Sequence, residues 1–319
     1  MSMIEPPPTA ALCRACGAPL PQSTPSGGFC PHCGAPQAEA ETPPDVQLYP
    51  PPADQFPLTP VAQPTALDPD HPRWGVWTAI GAWLFSVAAL IVAQVAVVMV
   101  LYVIDQRRGV FPSPADKEAL RNWAMTPHVL TASVYSTILA HLLTILFCWV
   151  VVTRLRSQPF LPSLGWNWAG RSPLYWLLIA VGLFVGINLA NALFVRILPQ
   201  KETDFDQLLK SGPQVRIAIA ILASFSAPLV EEIVYRGVIF GALRKRFSAT
   251  VTVVVVTLLF AGVHVPQYFG AWATVAGLIL LSLILTVVRA RSKTLLPCIV
   301  IHFINNAVAS LMIVLGKDV

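Results

Sequence analysis

From Trp74 onward the chain alternates long apolar runs with short polar breaks. Seven runs stand out, over 76–104, 129–153, 174–198, 216–242, 250–266, 271–288 and 295–315. A helix needs about 20 apolar residues, each rising about 1.5 Å, to cross a bilayer. The pattern therefore predicts an all-α fold, a polytopic transmembrane helix bundle of about seven spans. The fifth run is short and Pro266 ends it, while Pro228 is expected to kink the fourth.

Ahead of residue 73 the pattern changes. No long apolar run occurs there, and the segment holds more than half of the 29 prolines. Within it "LCRACGAPLPQSTPSGGFCPHCGAPQ" pairs Cys13 with Cys16 and Cys30 with Cys33 as two CxxC knuckles. Four thiolates so spaced can wrap one Zn²⁺ tetrahedrally, and Gly17, Gly27, Gly28 and Gly34 permit the tight turns. The prediction is a structural zinc ribbon over 1–35, folded largely by its metal. It resembles the ribbon knuckles attached to many bacterial membrane proteins. His32 lies inside a complete knuckle and is not needed as a ligand. Four closed thiolates leave no open coordination position, so the ribbon offers a surface for a protein partner rather than chemistry. Residues 36–72 read as a proline-rich disordered linker, and 73–319 as the membrane domain.

Composition agrees with the pattern. The chain is 55% hydrophobic, has a mean hydropathy of +0.65 and is 12% charged, about half the usual globular share. Its net charge of +5 needs no nucleic-acid partner, because basic loops beside membrane helices give the same sign. No signal-peptide pattern opens the chain. A reduced ribbon places the N-terminus in the cytoplasm. Seven spans then put the basic loops 154–173, 243–249 and 289–294 on that same side, as the positive-inside rule asks. The 105–128 loop, with Arg107, Arg108, Lys117 and Arg121, runs against the rule. The expected location is the bacterial cytoplasmic membrane, multi-pass.

The exceptions to the apolar pattern carry the chemistry. "SAPLVEEIVYRGVIF" sets Glu231, Glu232 and Arg236 in the middle of the fourth run. Three charges facing lipid would cost on the order of 8–10 kcal/mol, so they must face the interior. Glu232 and Arg236 are four apart and can pair on one helix face. Glu231 lies about 100° around and needs partners from other helices. "LLFAGVHVPQ" brings Phe260 and His264; "LPCIVIHFINNAV" brings His302 and Asn306 to one face of the last run.

These three stretches, in order, resemble the motifs EExxxR, FxxxH and HxxxN of the CAAX-protease and bacteriocin-processing family, also called CPBP or Abi. The resemblance covers about 170–315. It implies an intramembrane endopeptidase acting on membrane-associated protein or peptide substrates. It implies that Glu231 activates a water, that His264 orients it, and that His302 and Asn306 form the oxyanion site. Glu232 and Arg236 would be a structural pair. Eukaryotic relatives cut prenylated CaaX tails, but nothing in these residues argues for a prenyl substrate. Two carboxylates and two histidines could also ligate Zn²⁺ at the catalytic site, yet no HExxH is present, and Asn306 is a poor zinc ligand. The alternative to an enzyme is a non-catalytic membrane scaffold or immunity-type binding protein of the same fold.

Other polar residues read as packing. His141, Asn188 and Asn191 are expected to make interhelical hydrogen bonds, and Gly182 and Gly186 a close helix crossing. Cys148 and Cys298 are expected to behave as small apolar residues.

Overall fold

The computed structural model describes residues 12–13, 15–20, 28–36, 67–110 and 116–315. The chain divides into two compact units, Met1–Pro64 and Thr65–Val319. The proline-rich stretch 37–66 lies outside the described residues.

In the first unit the two CxxC knuckles fold alike. Gly17 N–H donates to Cys13 O at 2.8 Å and Gly34 N–H to Cys30 O at 2.9 Å. Both glycines sit at positive φ, +72° and +70°, where a side chain is strained. Isolated antiparallel bridges, Leu12 with Pro19 and Phe29 with Pro36, close each loop.

The second unit is all helical among its described residues. Its elements are α1 (Val76–Arg107), α2 (Lys117–Ala124), α3 (Pro127–Thr153), α4 (Phe160–Ser163), α5 (Pro173–Ile197) and α6 (Asp204–Lys210). They continue as α7 (Pro213–Arg244), α8 (Ala249–His264), α9 (Trp272–Ser292) and α10 (Leu296–Val314). Six helices (α1, α3, α5, α7, α9 and α10) are long and apolar enough to span a bilayer. The expected fifth span is the shorter α8, 16 residues ending at His264, two residues before Pro266. Proline at the first turn starts α3, α5, α7 and α10, where its missing N–H costs nothing.

Small residues set the packing of α1, whose Ala79, Ala82, Ala89 and Ala93 are buried while many of its large apolar side chains, such as Trp77, Ile91 and Val92, face outward. Ala89 and Ala93 cluster with Ala140 of α3, and Phe85 stacks on Phe147 at 4.4 Å. Without a hydrophobic drive in lipid, such close approach is what holds helices together. The crossing expected at Gly182 and Gly186 is absent: a Cβ there would meet nothing within 4 Å. The close approach is on the neighbouring helix, where Asn191 of α5 sits against Gly277 of α9. Asn188 likewise bonds its own helix, donating to Phe184 O.

Pro228 does not break α7. Two π-helical segments, Leu222–Ser226 and Glu232–Ile239, flank the α-helical stretch Ala227–Glu231. The wider turns absorb the proline within one continuous helix. The end of the expected disordered linker is also ordered. Pro69 and Asp70 form a turn against α7 and α9, because Asp70 finds a buried cationic partner, Arg289, at 3.0 Å. Sequence spacing gives no sign of that pair, whose members are 219 residues apart.

Candidate active site

The middle of α7 carries three charges, and the bundle treats them unequally. Arg236 is fully buried with every donor group used. Its Nη1 donates to Glu232 Oε1 at 2.9 Å, Nη2 to Ser282 Oγ at 2.8 Å, and Nε to Thr286 Oγ1 at 3.3 Å. The guanidinium also lies over the Phe260 ring, 4.5 Å from its centroid. A buried charge is tolerable only when so paired and hydrogen-bonded. This network ties α7 to α9 and α8.

Glu232 is equally buried, with its side chain 0% exposed. Its Oε1 also takes a hydrogen bond from His302 Nδ1 at 2.8 Å. Oε1, already accepting from Arg236, accepts from His302 as well, so Nδ1 carries the proton and His302 turns Nε2 the other way. Nε2 lies 3.7 Å from Glu231 Oε2. Glu231 is the open member of the set: its side chain is 23% exposed, and that longer contact is its nearest ion-pair partner among the described residues.

His264 ends α8. Its Nδ1 donates to Phe260 O at 2.8 Å, which leaves Nε2 as the acceptor nitrogen of the neutral ring. Phe260 is the hub that periodicity alone did not reveal. Besides Arg236, its ring packs on His264 at 4.9 Å, Tyr235 at 5.2 Å and His302 at 5.9 Å between centroids. Two histidines from two helices are thus held around one aromatic ring.

Asn306 is fixed from both ends. Its Nδ2 donates to Ala223 O at 3.1 Å, and its Oδ1 accepts from Asn305 Nδ2 at 3.2 Å. The reason lies in Pro228. In the first π segment Ala227 N–H bonds Leu222 O, not Ala223 O as an α-helix would have it. The next N–H in π register would belong to residue 228, which is proline and has none. Asn306 fills the gap, and among the described residues Nδ2 makes no other hydrogen bond, which leaves one amide hydrogen over. Asn305, the preceding residue of α10, holds the other end of the amide.

Around this centre His141 of α3 bonds Ser226 Oγ at 2.9 Å, an interhelical contact as expected. Trp83 Nε1 donates to Tyr235 Oη at 3.2 Å. Tyr268, in the turn after α8, has its hydroxyl pushed well above the usual range by burial, with Asp206 and Glu231 acting in the same direction.

The four cysteines are the other candidate centre. Their sulfurs all lie within 4.8 Å of one another, with Cys13 and Cys33 3.8 Å apart and Cys16 and Cys30 3.9 Å apart. Four sulfurs about 2.3 Å from one tetrahedral ion stand about 3.8 Å apart, so the set can hold a metal. Backbone N–H groups of Cys16 and Ala15 lower the Cys13 thiol to about 6. His32 is exposed and outside the converging set. Among the described residues, no other group of three or more His, Cys, Asp or Glu side chains converges in this way.

Residues 213–308 match the family model described as Type II CAAX prenyl endopeptidase Rce1-like. The segment is Rce1-like. It spans α7 to most of α10 and holds all three motifs. It leaves out the cysteine knuckles and α1 to α6. No curated protein and no solved structure matches the chain. The family similarity and the apolar helices together support an integral membrane protein with membrane endopeptidase function and membrane-associated peptide substrates.

Proposed function

We propose that the bundle is an intramembrane endopeptidase in which Glu231 activates the attacking water. The observation that carries this reading is the inequality of the two adjacent carboxylates. Glu232 is fully buried and takes both Arg236 and His302 on Oε1, its Oε2 having no hydrogen-bond partner among the described residues, whereas Glu231 is partly open and faces an imidazole nitrogen. Glu231 takes a proton from water as the oxygen attacks the peptide carbonyl, and returns it to the leaving amine. His264 Nε2, free because Nδ1 is held by Phe260 O, accepts a hydrogen bond that orients the water. The oxyanion is met by the free amide hydrogen of Asn306 and by His302, which donates through Nε2 when both ring nitrogens are protonated. Donors fixed in advance at the developing charge are the largest part of such catalysis. Anchoring of Asn306 by Ala223 and Asn305 supplies that fixity.

The remaining parts take their places around this centre. Glu232 and Arg236 form the structural pair that holds α7 to its neighbours. The cysteines hold Zn²⁺ as a structural ribbon over 1–35, joined by a linker to the membrane domain over 73–319. With a reduced ribbon, the N-terminus is cytoplasmic and the membrane the bacterial cytoplasmic one. The ribbon, closed to chemistry, serves a protein partner.

The test is quantitative terminal proteomics on membranes from cells holding equal amounts of wild type, Glu231→Gln or His264→Ala. New peptide termini with wild type alone are expected, and they name the substrates. Identical termini in all three favour a non-catalytic scaffold.

A further inference from the structure

The residues just before α1 form a strap that is bonded into the helix bearing the site. Its turn is self-supporting: Asp70 N–H donates to Asp68 Oδ1 at 3.0 Å, and Asp68 Oδ2 pairs with His71 at 2.8 Å. Asp70 then reaches Arg289 of α9, and both side chains are buried. Arg289 uses all of its planar fork. Nη1 donates to Asp70 Oδ1 at 3.0 Å, Nη2 to Pro69 O at 3.3 Å, and Nε to Arg236 O at 3.0 Å. The guanidinium also covers the Phe240 ring at 4.8 Å. Farther along, Trp74 Nε1 donates to Val238 O at 2.9 Å, and Lys245 Nζ to Trp74 O at 3.3 Å. Gly241 leaves room for all this, since a Cβ there would stand 2.7 Å from Pro69 O.

Both α7 carbonyls that receive these side chains, Arg236 O and Val238 O, belong to the second π segment. Phe240 N–H, the α-helical partner of Arg236 O, is diverted to Tyr235 O. A π segment adds one residue of extra turn to an α-helix, worth about 100° of rotation between the helix on its N-terminal side and the helix on its C-terminal side. Glu231 lies just before this segment and Arg236 within it, so the π register fixes how the two residues are turned relative to one another. We propose that the strap holds this π register, making Asp70 and Arg289 positioning residues for the chemistry at Glu231. The inference rests on the peptidase reading above. The connection is short: Arg289 grips the backbone of Arg236, Arg236 grips Glu232, and Glu232 fixes His302.

The test compares the purified full chain as wild type, Asp70→Asn, Arg289→Lys and Trp74→Phe, on a substrate found by terminal proteomics. Hydrogen exchange of residues 232–244, kcat, KM and thermal unfolding are read together. Arg289→Lys keeps the ion pair but has one nitrogen where three are used. Trp74→Phe keeps the packing and removes one donor, so it reports even where Asp70→Asn fails to fold. Exchange in 232–244 is expected to rise about tenfold in each variant, and kcat to fall about tenfold with KM nearly unchanged. Unchanged exchange and kcat in the folded variants would overturn the proposal, as would a lowered unfolding temperature with kcat intact. Wild type that cleaves nothing sinks the peptidase reading itself, a result distinct from variants that cleave as well as wild type.

Discussion

The cysteine knuckles and the Glu–His centre of the bundle are both clusters of ligand-type side chains, and they are built on opposite rules. In the knuckles four sulfurs, two from buried and two from exposed cysteines, converge within 4.8 Å. In the bundle the groups are graded. Arg236 is fully paired, Glu232 is buried with Oε1 paired and Oε2 without a partner among the described residues, His302 bridges, and Glu231 stays partly exposed. A site that only has to hold together satisfies every member; a site that has to react leaves one member short of partners. The two regions therefore respond differently to the loss of a single part.

Metal removal draws the contrast most sharply. Structural zinc supplies apparent binding energies of about 10–16 kcal/mol to small thiolate sites. A chelator is expected to release the ion and unfold the first unit, read by metal analysis and by limited proteolysis of 1–36. The helical circular dichroism and the cleavage activity of the bundle should persist. Activity lost to chelation in a Cys13→Ser/Cys16→Ser variant would instead place a metal in the bundle.

Breaking the closed part of the bundle comes next. Arg236→Ala leaves the Glu232 carboxylate buried without its cation, a loss on the order of 3–5 kcal/mol. It should appear as a lower unfolding temperature in detergent. Asn306→Ala orphans the Ala223 carbonyl, which costs about 1–3 kcal/mol, and it also removes the proposed oxyanion donor. Stability and kcat should fall together, and Asn306→Asp, which cannot donate, should do the same. The smallest effect is expected in the ribbon: His32→Ala should change stability by less than about 0.5 kcal/mol and leave the metal content as it was.

Much of this was legible in the sequence because the signals are local. The CxxC spacing fixes the knuckles, and apolar run length finds the six long helices. The four-residue interval from Glu232 to Arg236 forecasts the observed pair. What stayed hidden depends on geometry between distant residues. Asp70 reads as one more polar residue of a proline-rich stretch until Arg289 answers it from 219 positions away. Pro228 reads as a kink because hydropathy carries no trace of π turns. Those turns explain why Asn306 is aimed at a backbone carbonyl. Gly182 and Gly186 misled for the same reason: small residues permit a close crossing, but the facing helix decides where it falls. Phe260 is the first residue of the FxxxH motif, but nothing in the spacing shows that its ring meets four polar side chains.

The central claim is that the open carboxylate reacts and the closed one holds. The direct measurement is a side-by-side determination of cleavage rate and thermal unfolding for Glu231→Gln and Glu232→Gln in the purified protein. Glu231→Gln is expected to lose cleavage by about 10²–10⁴-fold at an unchanged unfolding temperature, while Glu232→Gln unfolds at a distinctly lower one. Cleavage that survives Glu231→Gln, or a Glu232→Gln protein as stable as wild type but inactive, would contradict that claim.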